Sequence, residues 1–347
     1  MSRVQMVTVE AGDADQRLDR WFKRHFPQVN QGLIERMCRK GEIRVDKGRV
    51  KASTRLEEGQ QVRVPPLPDG ASPAPRAQTA QISAKDAIMI QGCVVYRDDH
   101  VIALNKPAGL PTQGGSKQLR HVDGLAEALR FGLDEKPRLV HRLDKDTSGV
   151  LLLARTRMAA KALTASMRHR ETRKIYWALT AGVPTPYLGE IRYGLVKAPG
   201  HGRGGEGEKM LAVHPRDMDS TPGAKRAHTL YATLYRVGSR AAWVALEPVT
   251  GRTHQLRAHL AEIGHPIAGD GKYGGSGQEN EGDGWGAQVG GIISKKLHLH
   301  ARMMRFEHPD TRREVTVSAP LPEHMAQSWA TFGWSEDLAA EDPFEGL

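Results

Sequence analysis

The segment best suited to chemistry is a charged turn directly ahead of an apolar run. It reads His141-Arg-Leu-Asp-Lys-Asp-Thr-Ser-Gly149, and residues 150–154 after it are all apolar. The apolar run predicts a strand buried on both faces. A carboxylate beside that strand, Asp144, would be partly desolvated and would need a cation such as Arg142 to stay ionised. Such a carboxylate can act as a nucleophile or a base. The alternative is a structural aspartate that caps the turn.

A second candidate segment, Thr250-Gly-Arg-Thr-His-Gln-Leu-Arg-Ala-His259, lies between a predicted strand and a predicted helix. His254 and Arg257 are three residues apart, so they project from neighbouring positions of one helix face. Arg257 falls at the helix start, where the helix dipole disfavours a cation, so we expect a partner carboxylate. Gly251 is expected to supply an unusual backbone angle. The alternative for Arg257 is a surface arginine.

A third segment, Arg173-Lys-Ile-Tyr-Trp177, begins a predicted strand. Alternation along the strand puts Lys174 and Tyr176 on one face. An aromatic ring beside cations can stack on a nucleobase, whereas core packing is the alternative for Tyr176.

The elements around these segments predict an α+β fold with a largely antiparallel sheet. We expect strands at 101–104, 150–154, 175–180, 229–237 and 242–249, and helices behind Asp123, after Thr156 and over 253–263. Strands outnumber helices and do not alternate strictly with them, which is typical of α+β proteins.

The N-terminal part forms a separate pattern of two short helices and short strands. Asn30 can cap the second helix, Gly41 can end it, and Asp46-Lys-Gly48 predicts a turn. Residues 1–64 hold 14 Lys and Arg against 9 Asp and Glu, a net of +5. The basic side carries Arg36, Arg39, Lys40, Arg44, Lys47, Arg49 and Lys51. A cationic helix face with a cationic turn suits a phosphate backbone; the alternative is a solvated charged surface.

Composition bounds the class of protein. The chain has 347 residues, 39% of them hydrophobic, and a net charge of +10, which favours a polyanionic partner. No apolar run approaches the roughly 20 residues of a membrane helix, and residues 1–20 contain no signal-peptide core. The two cysteines, Cys38 and Cys93, exclude a disulfide framework and a Cys-rich zinc site. We therefore expect a cytoplasmic protein without membrane contact.

Composition also suggests the domain boundaries. We predict a domain over 1–64, a Pro/Ala-rich linker over 65–88, a large catalytic domain over 89–325 and an acidic tail over 326–347. The glycine-rich stretches 199–208 and 274–291 are predicted to be mobile loops, the second without an assigned role.

Together with two more motifs, the three segments identify a family. In chain order the motifs are Asn105-Lys-Pro-Ala-Gly109, His141-Arg-Leu-Asp-Lys-Asp-Thr-Ser-Gly149, Lys174-Ile-Tyr176, Gly251-Arg-Thr-His-Gln-Leu-Arg257 and Leu297-His-Leu-His-Ala301. This series resembles the RluA/RluC/RluD family of RNA pseudouridine synthases over about residues 93–320. The small N-terminal part, with Arg17-Leu-Asp-Arg-Trp21 and Gly41-Glu-Ile-Arg-Val-Asp-Lys-Gly48, resembles an S4 RNA-binding domain.

The resemblance implies a role for each matching residue. It makes Asp144 the catalytic aspartate, Tyr176 the tyrosine that stacks on the target base, and Arg257 the basic partner of the aspartate. Arg142 matches the arginine that fills the gap left by a flipped uridine. The resemblance also places four residues in substrate binding: His141, Lys174, Arg252 and His254.

The implied fold is an S4-type domain followed by a mixed, mainly antiparallel pseudouridine synthase domain with a central cleft. The implied reaction is isomerisation of specific uridines in structured RNA, with 23S ribosomal RNA the expected substrate and no cofactor or metal. His141, Asp144 and Asp146 show too few carboxylates for a hard-metal site. Three alternatives stay open: a non-catalytic RNA-binding assembly factor, a synthase acting on tRNA and a metal-dependent nuclease. We expect a monomer.

Overall fold

The computed structural model describes residues 4–67, 82–114, 120–199, 209–274, 293–339 and 342–344. The chain divides into two compact units, Met1–Gln81 and Ile82–Leu347. Within the described parts, no helix has the length and apolar character needed to cross a bilayer. The two glycine-rich stretches predicted as loops fall almost entirely outside the described residues, as does most of the proline-rich stretch.

The first unit combines two helices with a four-stranded antiparallel sheet. Its elements are β1 Gln5–Thr8, α1 Leu18–His25, α2 Gln31–Lys40, β2 Arg44–Val45, β3 Gly48–Arg49 and β4 Gln61–Val64. The strand order is β1-β4-β2-β3. Trp21 and Phe22 of α1 and Ile34 of α2 share one buried core with Val62 of β4. Each such side chain contributes about 1.5–3 kcal/mol of hydrophobic stabilisation.

Helix α2 begins and ends where its sequence predicts. The Asn30 Oδ1 accepts a hydrogen bond from the Leu33 backbone N–H at 2.9 Å, which satisfies one of the free donors of the first turn. Gly41, with φ of 72°, ends the helix in the left-handed conformation that glycine adopts most easily.

The second unit contains thirteen described strands, ten of them in one large sheet and three in a small one. Its strands are β5 Val94–Arg97, β6 Val101–Lys106, β7 Arg138–Leu139, β8 Ser148–Ala154, β9 Arg173–Ala181, β10 Leu188–Ile191, β11 Gly194–Lys197, β12 Met210–Val213, β13 Lys225–Arg226, β14 Thr229–Val237, β15 Ala241–Pro248, β16 Leu299–Glu307 and β17 Glu314–Ser318. Its helices are α3 Ala84–Gly92, α4 Val122–Leu125, α5 Arg157–His169, α6 Gln255–Glu262 and α7 Glu323–Thr331. Strands β11, β12 and β13 form a separate small sheet.

The large sheet is mixed and mainly antiparallel, as predicted. Its order is β10-β14-β15-β9-β16-β8-β6-β5, with β17 beside β16 and β7 beside β8. Only the β8–β16 pair among the described strands is parallel. The central strand β16 comes late in the chain, so it joins two groups of strands that are made much earlier.

One edge of strand β8 pairs with β6, and two neighbours share its other edge. Its first residues pair with β16 and its last residues pair with β7. In the gap between them, the Leu152 N–H donates to the His141 Nε2 at 2.9 Å, so the side chain supplies the acceptor that no strand provides. Gly149 has φ of 106°, and a Cβ there would lie 2.2 Å from the Ala301 carbonyl oxygen. The β8–β16 contact therefore requires glycine at position 149.

The predicted linker extends too far into the second unit. Residues 84–88, placed in the 65–88 linker, belong to helix α3, whose Ile90 is fully buried. The Ser83 Oγ caps this helix by accepting from the Asp86 N–H at 3.1 Å. The prediction was wrong because the proline-rich composition ahead of Ser83 masked a helix start that Ser83 itself signals.

The predicted acidic tail, 326–347, is not a separate tail over its described residues. Helix α7 runs through the boundary, and Trp329, Trp334 and Phe344 lie in a buried cluster on the sheet. Two acidic side chains of this segment form ion pairs with the sheet, Glu336 with Arg302 and Asp342 with Arg173. The prediction of a separate tail was wrong because it rested on the acidic residues, whereas the aromatic residues pack this segment onto the sheet.

Candidate active site

Asp144 lies in the loop ahead of β8, and backbone contacts on both of its sides hold this loop. The Leu143 carbonyl accepts a hydrogen bond from the Thr112 Oγ1 at 2.6 Å. The Lys145 carbonyl accepts from the Lys106 Nζ at 3.0 Å and from the Gly109 N–H at 2.9 Å. The Asp144 side chain keeps 21% of its surface exposed. The carboxylate is thus positioned by rigid neighbours but still open to a ligand.

Lys106, which supplies one of these bonds, is itself fully buried. Its ammonium also donates to the carbonyls of Pro107 and Leu110, each at 2.9 Å. Burial lowers the pKa of Lys106 to about 8, against the opposing effect of the Asp146 and Asp144 charges. Three carbonyl acceptors compensate for its burial, so Lys106 ties the loop after β6 to the loop that carries Asp144.

Arg257 bridges two carboxylates at the start of α6. Its Nε and Nη2 donate to the two oxygens of Asp270, both at 2.7 Å, and its Nη1 lies 3.7 Å from the Asp144 Oδ2. Burial acts to lower the pKa of Arg257, but the hydrogen bonds and charge of Asp270, with the charge of Asp144, raise it above its ordinary value. The expected partner carboxylate therefore exists. The short bidentate contact is with Asp270, and Asp144 keeps a looser contact with the same cation.

His254 is the second basic group beside Asp144, with its Nε2 3.7 Å from the Asp144 Oδ2. Burial lowers the pKa of His254, against the opposing charge of Asp144. The Tyr273 hydroxyl accepts from the Met210 N–H at 2.9 Å and lies 3.0 Å from the His254 Nδ1. The hydroxyl proton is then free to donate to Nδ1, which leaves the Nε2 proton facing Asp144.

The unusual backbone angle of this segment is at His254 and not at Gly251 as predicted. His254 has φ of 51°, and Gly251 lies outside the left-handed region. The strained residue is the one whose ring faces Asp144, which is where a strained backbone is most often found. His254 is the residue directly before α6, so the chain enters the helix through this left-handed conformation.

Tyr176 and Lys174 share one face of β9, as the alternation predicts, and both line the same cavity. Tyr176 is 9% exposed, and burial, with the charge of Asp144, raises the pKa of its hydroxyl well above the ordinary value. Burial lowers the pKa of Lys174, against the charge of Glu247. The ring therefore stays neutral at physiological pH and offers an aromatic surface beside a lysine.

These groups surround a cavity of about 320 Å³, which is within the ~300–1,000 Å³ range of small-molecule sites. Its lining includes His141, Arg142, Asp144, Lys174, Tyr176, Arg252, His254 and Arg257. All eight residues predicted for catalysis and substrate binding are thus brought together. Among the described residues, no three His, Cys, Asp or Glu side chains are arranged to hold a metal ion.

Three of the eight differ in their surroundings. Arg142 and Arg252 are exposed at the rim, and the Arg252 Nε donates to the Arg226 carbonyl at 3.1 Å. His141 uses its ring to bind β8, and burial lowers its pKa to about 3, so it is a neutral acceptor for the Leu152 N–H. The geometry gives His141 a structural contact that the resemblance did not imply.

In the first unit, the basic residues predicted to contact RNA are all exposed. They are Arg36, Arg39, Lys40, Arg44 and Lys47. The Arg44 guanidinium donates to the carbonyls of Gly41 and Lys47, at 3.2 and 3.3 Å, which links the end of α2 to the turn between β2 and β3. Helix end and turn therefore form one cationic surface of this unit.

The sequence reasoning missed Asp270 and Tyr273, and it did not single out Lys106. Asp270 is fully buried and lies thirteen residues beyond Arg257, which is too distant for a pattern on one helix face to reveal the pair. The segment Gly269-Asp-Gly-Lys-Tyr273 offered one signal, a carboxylate between two glycines seven residues beyond the end of the predicted helix.

A carboxylate beside a paired arginine, an aromatic ring and exposed arginines line a cavity whose size suits a nucleobase. Comparisons with known proteins agree. Residues 100–262 match the family model described as RNA pseudouridylate synthase, and residues 16–62 match the S4 domain model. Among solved structures, the chain is similar to human RNA pseudouridylate synthase domain containing 4. That likeness has 29% identity and a TM-score of 0.57, and covers 71% of this chain and 95% of the human one.

Curated relatives extend the likeness over nearly the whole chain. A ribosomal large subunit pseudouridine synthase C of Vibrio cholerae serotype O1 is 35% identical over 94% of this chain and 96% of its own length. The protein of the same name from Yersinia pestis is 36% identical over 93% of both. The chain belongs to the RNA pseudouridine synthase family, with an S4 domain ahead of the synthase domain. It is therefore an enzyme, and the interpretation as a non-catalytic assembly factor is wrong.

Proposed function

We propose that this synthase isomerises specific uridines of large-subunit (23S) ribosomal RNA, with Asp144 as the reacting carboxylate. The relatives named as ribosomal large subunit synthases support the substrate, because the likeness covers both units of the chain. One observation carries the site assignment: the Asp144 carboxylate faces a cavity of about 320 Å³ with Arg257 and His254 each 3.7 Å away.

The reaction breaks the N1–C1′ bond of uridine and forms a C5–C1′ bond. The proton on C5 leaves and N1 gains a proton, so the composition is unchanged and no electrons are exchanged. Asp144 must be ionised to attack a carbon or to take a proton. The Arg257 guanidinium and the His254 ring, each 3.7 Å from the Asp144 Oδ2, place a positive charge and a donor beside this carboxylate. Three roles of a carboxylate fit this overall reaction: addition to C6, attack at C1′ and removal of a proton to give a glycal.

A uridine in an RNA stack cannot reach Asp144 until its base has left the stack. Tyr176 offers a neutral ring against which the extruded base can lie, and Lys174 lies on the same face of β9. Arg142 is exposed at the rim, where a planar guanidinium can occupy the vacated place in the stack. His141 contributes by fixing the strand that follows Asp144.

The test is pseudouridine formation on transcripts of 23S rRNA and of tRNA by the wild-type protein and Asp144→Asn. The substitution keeps the shape and removes the charge, so turnover on 23S rRNA should fall by at least ~10³-fold. RNA affinity should stay nearly unchanged. Asp219→Asn, at an exposed position, is the matched control. Substantial turnover by Asp144→Asn would overturn the role of the carboxylate, and wild-type modification of tRNA alone would overturn the substrate.

We further propose that the cationic surface of the S4 domain binds RNA backbone. Replacing both Arg39 and Lys40 with glutamine should weaken RNA binding and reduce the slope of log K against log salt by about 2, one for each phosphate contact. The value of kcat on saturating RNA should not change, because neither residue lies in the unit that contains Asp144. An unchanged salt slope would count against this role. A monomeric state and a cytoplasmic location stay predictions.

A further inference from the structure

A second cavity, of about 690 Å³, adjoins the active site. Arg257 lines both cavities, so its side chain forms part of the wall between them. Three separate segments bring lysines to the second cavity: the residue before β12, the second residue after Asp270 and the two residues shortly before β16. These lysines are Lys209, Lys272, Lys295 and Lys296. We call this feature the lysine cavity.

The described lining of the lysine cavity carries more positive than negative side chains. Among the described residues that line it, Asp146 is the only acid, and Arg257 is already paired with Asp270 at 2.7 Å. Four lysines from three separate segments line the cavity, although their positive charges repel one another. A concave surface of one sign concentrates ligands of the opposite sign. The cavity therefore suits an anion with more than one charge.

The lining favours phosphate groups over bases. The described lining contains no aromatic side chain, so it offers no stacking surface of the kind that Tyr176 offers in the active site. A lysine ammonium is a point charge that can donate hydrogen bonds to a phosphate from many directions, which suits contact without sequence readout. Gly109 and Gly271 also line the cavity, and a Cβ at either would meet no atom within 4 Å, so a ligand can approach the backbone closely there.

We propose that the lysine cavity holds backbone phosphates of the substrate RNA on one flank of the target uridine. The proposal rests on the proposed function, because an extruded uridine remains attached to its strand on both sides. Because Arg257 lines both cavities, one flank of the strand can pass this side chain and enter the cavity that carries the four lysines. Contact there would hold the strand in register while Asp144 acts on a single nucleotide.

The test compares wild type with the double variant Lys295→Gln/Lys296→Gln, because both residues are exposed and their replacement should not disturb folding. The substrate is a 23S rRNA fragment that the wild type modifies, in three forms: intact, shortened on the 5′ side of the target uridine and shortened on the 3′ side. Lys85→Gln, at an exposed position of α3, is the matched control. Measurements are KM, kcat and the salt dependence of binding.

On the intact fragment, the double variant should raise KM about tenfold, leave kcat unchanged and reduce the salt slope by about 2. The difference from wild type should vanish on one of the two shortened fragments and persist on the other. An unchanged salt slope, or an equal penalty on all three fragments, would overturn the proposal. Modification of the intact fragment by the wild type tests the proposed function separately, since it does not depend on the lysines.

Discussion

Replacing Asp270 with asparagine should destabilise the catalytic unit far more than replacing Asp144, although both carboxylates face Arg257. Asp270 is fully buried and accepts two bonds of 2.7 Å from the guanidinium. Asp144 is 21% exposed and lies 3.7 Å from it. Asp270 therefore fixes the position of the arginine, whereas Asp144 makes a longer contact with it and stays open to a ligand.

The magnitude follows from burial. Removing one partner of a buried pair leaves the other charge uncompensated and typically costs about 3–5 kcal/mol. In Asp270→Asn the Arg257 cation keeps the more distant Asp144 as its one carboxylate partner among the described residues, so we expect a loss of about 3 kcal/mol. For a unit of this size that loss lowers the melting temperature by about 6–12 °C. In Asp144→Asn the arginine keeps Asp270, so the loss should stay under about 1 kcal/mol.

The assay is thermal and urea unfolding followed by tryptophan fluorescence, with pseudouridine formation measured on the same preparations. Trp177, Trp243, Trp329 and Trp334 of the second unit report on its core. We expect Asp144→Asn to be inactive and stable, and Asp270→Asn to be both impaired and unstable. Equal melting temperatures for the two variants would refute the division of labour around Arg257.

Two further predictions concern the sheet and its buried histidines. Gly149→Ala should destabilise the second unit by more than about 3 kcal/mol, because its Cβ would meet the Ala301 carbonyl, whereas Gly92→Ala, with open space around it, should not; urea unfolding of both checks this. Burial lowers the pKa values of His298 and His300 to about 4, so the unfolded chain takes up more protons below the ordinary value of about 6.5. Stability should therefore be constant above pH 6.5 and fall by about 3 kcal/mol for each histidine as the pH drops to 4, and unfolding curves between these limits that superimpose would contradict this.

The sequence patterns predicted local structure well where one residue or one period determines it. The buried run 150–154 forms most of β8, and the predicted strand 229–237 forms β14 with the predicted bounds. Thr156 caps α5 through its Oγ1, which accepts from the Ala159 N–H. In each case the signal lies within a few residues, so no knowledge of the fold is needed to read it.

The sequence did not predict contacts that depend on the path of the whole chain. The position of Arg257 at a helix start predicted a partner carboxylate, but the sequence did not indicate that this partner is Asp270. The acidic residues of the C-terminal segment predicted a separate tail. The residues that bury Trp329 and Phe344 belong to strands far away in the sequence, so no local pattern indicated this contact. Position 144 could be chosen in advance because its motif is local and specific.

The position of β16 has a consequence for how the enzyme matures on the ribosome. The strand that follows Asp144 and the strand that carries Tyr176 are separated in the sheet by β16, which spans Leu299–Glu307. A nascent chain that has not yet released this strand holds Asp144 and Tyr176 beside strands that are not yet joined in one sheet, with two unpaired strand edges open to aggregation. Activity should therefore appear only after synthesis has passed this strand, and truncated translation products should be catalytically silent.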